Sequence, residues 1–194
     1  MIRKIPIEIS ARHIHLSQKD LEALFGKGYQ LKELRKLSQI GEFAAKEKID
    51  IQNNLEPNAR KISNVRILGP IRKQTQVEIS RTDAIFLKVK SMVRDSGNLK
   101  GTPGIILIGP QGKIKIKEGV INAWRHIHCS PKESQKLGLK NKMLVSVKTM
   151  GIRSITFHKV MVQVKPNYRL YMHIDTDEGN ASSIVKKGIG YLII

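Results

Sequence analysis

Arg-His-Ile-His stands twice in this chain, at residues 12–15 and again at 125–128, and each copy runs without a gap into the same kind of segment. Ala11 to Asp20 aligns with Trp124 to Glu133. In both, a serine follows the second histidine by two residues (Ser17, Ser130) and an acid follows the serine by three (Asp20, Glu133). That spacing is a capping box, which satisfies the free N–H groups at a helix start, and Pro131 suits the first helical position because its ring fixes φ there. Each copy predicts a strand, a His-x-His pair, an N-cap and a short helix, with Gly26 and Gly138 as helix stops. The chain must therefore fold around two like strand-to-helix units.

Side chains at i and i+2 of a strand share a face, so each pair can offer two neutral imidazoles to one metal ion. Spacing alone leaves open one ion per pair or one shared ion. The plain alternative is surface histidines in basic segments; a duplicated pair with duplicated caps weighs against it. Each pair also precedes a positive helix end, where anions are favoured. A second echo, Val65 to Pro70 against Ile105 to Pro110, suggests two related subdomains.

The remaining pattern is mostly β. Residues 5–10, 48–53, 76–80, 112–117, 143–148 and 160–164 alternate at period two, and helical patterns are confined to 17–25, Leu31 to Leu37 and 131–137. Arg94 to Asn98 and Thr102 to Gly104 read as turns. Many short strands imply barrels or sandwiches, and 194 residues allow one or two compact domains. The lone cysteine, Cys129, excludes an internal disulfide framework. It should face away from His126 and His128, and Leu16 holds its place in the first copy, so it reads as packing rather than as a ligand or an acyl-carrying nucleophile. With 35 basic residues against 16 acidic, the net charge of +19 points to polyanionic partners, either a phosphorylated ligand or nucleic acid.

Further metal ligands must come from elsewhere. His173 ends a strand that runs into an acidic turn and could complete a three-histidine set with either pair. Glu78 shares the polar face of an alternating strand with Gln74 and Gln76, although a strand glutamate is ordinarily a solvated residue. His158 has no such context and reads as structural.

Five segments taken together carry a resemblance: Ile9 to Ser17, Gly69 to Asp83, Arg94 to Gly97, Arg125 to His128 and Met172 to Glu178. In this order, over nearly the whole chain, they resemble the PduL-type phosphate propanoyltransferases, also called phosphotransacylases. The resemblance implies reversible transfer of a short acyl group, acetyl or propanoyl, between coenzyme A and inorganic phosphate. It implies a mainly β fold of two β-barrel subdomains with short capping α-helices and the active site between them. Residues 1–11 and 124–194 would form the first, discontinuous barrel, and 12–123 the second with a helical insertion. Two zinc ions per chain are implied, one on His13, His15 and Glu78 and one on His126, His128 and His173. Arg72 matches the family's phosphate-binding arginine. Ser10, Arg35, Arg66, Leu68, His173 and Asn180 match positions lining its coenzyme A pocket. Arg35 stands where relatives often have lysine, and Gly179 where they commonly have alanine.

Two other classes remain in play. An RNA-binding β-barrel would explain the charge and predicts salt-dependent retention on RNA without metal. A dizinc phosphoesterase would hydrolyse acyl phosphate without coenzyme A. The family reading expects neither nucleic acid nor membrane as partner, and a homodimer. Family members packed in microcompartments usually carry an N-terminal extension; the strand pattern here begins by Ile5, which sets the expectation of a cytoplasmic enzyme.

Overall fold

The computed structural model describes residues 3–193. The chain divides into two compact units, one made of residues 1–10, 38–40 and 124–194 and the other of 11–37 and 41–123.

In the first unit six strands, numbered in chain order, close into a barrel: β1 (Lys4–Ile9), β11 (His126–Cys129), β12 (Leu144–Thr149), β13 (Thr156–Val164), β14 (Tyr171–Ile174) and β15 (Lys187–Ile193). Around the barrel they run β1-β14-β11-β13-β12-β15, and the β1–β15 pairing shuts it. Alternation explains these strands. Ile5 and Ile7, Val145 and Val147, Val160 and Val162, and Met172 and Ile174 point inward at period two and are almost wholly buried. Cys129 is buried in this apolar core, in the packing role its position suggests. Two helices belong to this unit, α3 (Pro131–Leu137) and α4 (Thr176–Ser182).

The second unit is a nine-stranded sheet. It contains β2 (His13–His15), β3 (Glu33–Lys36), β4 (Phe43–Gln52), β5 (Lys61–Gly69), β6 (Gln76–Glu78), β7 (Met92–Arg94), β8 (Ile105–Ile108), β9 (Lys113–Ile116) and β10 (Val120–Ala123), with helices α1 (Gln18–Phe25) and α2 (Arg81–Phe86). The strands run β7-β10-β6-β2-β5-β4-β8-β9, and β3 pairs with β4 off this path. Ile14, Ile67, Val77, Ile51 and Leu107 anchor its core.

Helix caps follow the sequence, save that the Ser17 N–H donates to Thr75 Oγ1 rather than closing a box with Asp20. Ser17 accepts from the Asp20 N–H to start α1, Ser130 makes a full capping box with Glu133 to start α3, and Gly26 and Gly138 end them. The structure departs from the sequence reading at three places. Leu31 to Leu37, with leucines at helical spacing, contains the strand β3 instead, because it pairs antiparallel along β4; tertiary pairing outweighs the local pattern. The echo of Val65 to Pro70 in Ile105 to Pro110 does not mark two subdomains: β5 and β8 lie in one sheet and flank β4 on its two sides. And α2 and α4, of six and seven residues, are helices the sequence pattern does not predict, because they are too short to show a helical period. No helix among the described residues is long and apolar enough to cross a membrane.

Gly179 has a packing reason. A Cβ there would run into Ile9 Cδ1 and would lie 2.8 Å from the Ile184 carbonyl oxygen. Gly179→Ala should therefore destabilise the chain despite the roughly 1 kcal/mol that alanine gains in a helix, since overpacking costs about 1–3 kcal/mol. A melting temperature lower by a few degrees is expected, with part of the loss recovered when Ile9→Val removes the offending methyl. A higher melting temperature for Gly179→Ala would contradict this account.

Candidate metal centre

Each His-x-His pair sits on a strand flanked by an antiparallel neighbour that delivers a third donor directly opposite the first histidine. In the nine-stranded sheet His13 faces Glu78 across the β2–β6 pairing; in the barrel His126 faces His173 across β11–β14. On the other side of each pair-bearing strand lies a parallel one, β5 beside β2 and β13 beside β11. The ligand atoms of His13, His15 and Glu78 lie within 4.8 Å of one another, as do those of His126, His128 and His173.

The likeness extends past the ligands. The third-donor strands run Glu78-Ile79-Ser80 and His173-Ile174-Asp175, and in both the last residue caps a helix with a reciprocal bond to an acid three positions on, Asp83 in α2 and Glu178 in α4. The arginine that opens each Arg-His-Ile-His reaches that same acid. Arg12 Nε and Nη2 donate to the two Asp83 oxygens at 2.9 and 2.7 Å, and Arg125 Nε donates to Glu178 Oε1 at 2.8 Å. Each arginine thus ties the pair-bearing strand to the helix that follows the third donor. The capping spacing carried this signal in the sequence, but Glu78 and His173 differ in type and hide the repeat.

Ring orientation is set identically in the two sites. His13 Nδ1 donates to the Ala11 carbonyl at 2.8 Å and His126 Nδ1 to the Trp124 carbonyl at 2.7 Å, which turns both Nε2 atoms toward their triads. The second histidine of each pair has a buried Nδ1 with no hydrogen-bond partner, at His15 and at His128. Two orphaned imidazole nitrogens, each beside two further donors, suit a cation. The donor sets, three histidines or two with a carboxylate, fit zinc.

Electrostatics agree. Burial, with the neighbouring His126 and His173, pushes His128 down to about 2. Burial, His13 and Arg72 likewise hold His15 well below the ordinary histidine range, so both rings are neutral, the form that binds metal. Burial works against charge on His13, but the Glu78 carboxylate, with Oε2 3.5 Å from Nε2, outweighs it and raises the ring's pKa. Burial would also raise Glu78; its facing His13 and the nearby Arg72 pull it far below the usual carboxylate range instead. This buried pair is a charged site that a divalent cation can take over with release of a proton.

Residues around the triads complete the picture. Tyr168 stacks on His128 at 3.8 Å between ring centroids. Glu8 Oε1 lies 3.5 Å from His173 Nδ1 and accepts from Ser38, while Gln39 Nε2 is 3.4 Å from His173 Nε2. Arg72 lies at the first triad: its backbone N–H donates to the Leu16 carbonyl, Nη1 donates to Ser96 Oγ at 2.8 Å, and Nη2 is 3.9 Å from Glu42 Oε1. Arg66 is paired with His13 in register and is fixed by Nη1 bonds to the Ala45 and Lys46 carbonyls; the Leu68 carbonyl accepts from His15. Arg35 is exposed on β3, Ser10 follows β1 with its N–H on the Ile174 carbonyl, and Asn180 is exposed on α4. His158 is exposed, bonded to Ser146, and belongs to neither triad. Tyr168, Glu8, Gln39 and Ser96 had no sequence signal as site residues beyond the Arg94 to Gly97 motif.

The comparisons converge on one family. A family model described as phosphate propanoyltransferase matches residues 6–185. A phosphate propanoyltransferase of Thermotoga maritima is 47% identical over 197 aligned residues, covering all of this chain and 92% of the relative. One from Lachnoclostridium phytofermentans is 49% identical over 180, covering 93% and 83% of the two chains, and one from Salmonella typhimurium is 46% identical over 181, covering 93% and 84%.

Proposed function

Because the chain belongs to the phosphate propanoyltransferase family, and is therefore an acyltransferase, we propose that it moves a short acyl group reversibly between coenzyme A and inorganic phosphate with two zinc ions, one on each triad. The observation that carries this reading is the duplicated triad, with its third donor opposite the first histidine and one imidazole nitrogen left orphaned in each copy.

When bound, the ions would neutralise phosphoryl oxygens and favour the thiolate form of coenzyme A. The chain's own groups do the rest. Arg72 offers its fork of N–H groups to the phosphate, as nucleophile in one direction and leaving group in the other. Ser10, Arg35, Arg66, Leu68, His173 and Asn180 are assigned to coenzyme A. The net charge of +19 attracts both polyanions. Phosphate oxygen attacks the thioester carbonyl and the sulfur leaves as thiolate, without a protein-bound acyl group. Cys129 supports the direct route: burial and then Glu133 push this thiol up to about 11, and an inert thiol is a poor acyl carrier.

Metal analysis of the purified chain, combined with an assay for thioester formation from acyl phosphate and coenzyme A, tests the reading. Two zinc ions and a coenzyme A-dependent thioester are expected. Hydrolysis of acyl phosphate without coenzyme A would favour a phosphoesterase, and a stable acyl-enzyme after acyl phosphate alone would overturn the direct route. A cytoplasmic location and a homodimer belong to the same proposal, to be checked by fractionation and by mass in solution.

A further inference from the structure

The turn at Arg94-Asp95-Ser96-Gly97 belongs to the motifs of the resemblance but has no part in the reaction so far. Its serine hydroxyl is where three side chains of the second unit meet. Arg72 Nη1 lies 2.8 Å from Ser96 Oγ, Gln76 Nε2 lies 2.9 Å from it, and Glu78 Oε1 lies 3.3 Å away.

The donor and acceptor inventory leaves one arrangement. A guanidinium N–H and an amide NH2 can only donate, so Arg72 and Gln76 occupy the two lone pairs of the hydroxyl, and its single proton goes to Glu78. The direction of the Gln76 amide is fixed independently, because the Gly97 backbone N–H donates to Gln76 Oε1 at 2.7 Å, which turns Nε2 toward Glu78 and Ser96. Gly97 can supply that N–H because its φ of +89° is a conformation glycine adopts freely. Glu78 Oε1 is thus engaged by Gln76 and Ser96, while Oε2 is the oxygen turned to His13 Nε2.

We propose that Ser96 is a positioning residue which, through one hydroxyl, fixes both the guanidinium of Arg72 and the carboxylate of Glu78, presenting Oε2 of Glu78 as the single ligand oxygen. This deepens the function proposed above and rests on it, since it takes Arg72 as the phosphate group's partner and Glu78 as a metal ligand. Ser96 is not among the donors of either triad and acts here through Arg72 and Glu78. Its effect should therefore appear as a joint change in phosphate recognition and in one metal site.

The test compares Ser96→Ala and Ser96→Thr with the wild-type chain by steady-state kinetics and by zinc competition against a chromophoric chelator. Ser96→Ala should raise KM for phosphate and weaken one of the two zinc ions, each by about tenfold, the lower end of the range for losing an outer partner of a metal ligand. KM for coenzyme A and the affinity of the other ion should hold. Ser96 is exposed on a turn, so its truncation opens no core cavity, and the melting temperature should stay near wild type. Ser96→Thr keeps the hydroxyl and should restore both quantities. Wild-type phosphate KM and wild-type affinity for both ions in Ser96→Ala would overturn the proposal, as would failure of Ser96→Thr to rescue a folded chain. A wild-type chain that binds no zinc and forms no thioester would instead sink the function on which it rests, and the proposal with it.

Discussion

Replacing His126 or His173 by alanine should remove about one zinc ion per chain and abolish acyl transfer, because a catalytic zinc site of three protein ligands retains only two. The two residues face each other in register across β11 and β14, with ring centroids 5.1 Å apart, and His128 is already the third donor of the same set. The other ion should remain. His13, His15 and Glu78 lie wholly within the second unit and owe no ligand to the barrel. His158→Ala is the control: its ring is exposed and bonded to Ser146, and both metal content and turnover should stay near wild type. Metal analysis beside the transfer assay reads all three variants. Stoichiometric zinc persisting after both His-x-His pairs are removed would end the dizinc reading.

Arg72→Lys separates charge from geometry. Lysine keeps the positive charge near Glu78 but replaces a planar fork with a point charge on a flexible four-carbon stem. The guanidinium here is held from two sides, by Ser96 at 2.8 Å and near Glu42 at 3.9 Å, so its direction as well as its charge is built into the site. Losing one oriented electrostatic donor costs roughly 10²-fold or more in turnover. Zinc content should not change, because Arg72 is not among the donors of either triad. Near-normal turnover in this variant would mean that phosphate is held elsewhere.

Much of the candidate metal site is legible in the sequence. A strand alternates its side chains at period two, so His-x-His states a shared face outright, and the serine-to-acid spacing states where the helix begins. The third donors were harder. His173 is marked by residue type, whereas Glu78 reads as a glutamate on a solvated strand face, and the structure instead buries β6 with Glu78 opposite His13. Register across strands is a long-range property, and a single sequence does not encode it locally. The same limit explains β3, in a segment whose Leu31, Leu34 and Leu37 mimic a helical stripe while the strand's backbone pairs along β4. It also explains Ser96, whose importance comes from Arg72, Gln76 and Glu78 meeting it from 18 to 24 positions away.

The closed barrel imposes an order on synthesis. β1, residues 4–9, is synthesised well ahead of both strands it pairs with, β14 and β15, which lie beyond residue 170. At translation rates of roughly 5–20 residues per second, that edge waits on the order of ten seconds or more for its partners. The sheet unit is complete in sequence by residue 123, long before the barrel can close. β1 alternates buried isoleucines with Lys4, Pro6 and Glu8. An edge that carries charge and a proline is poorly suited to pair with a neighbouring chain, so the nascent strand is equipped to wait alone.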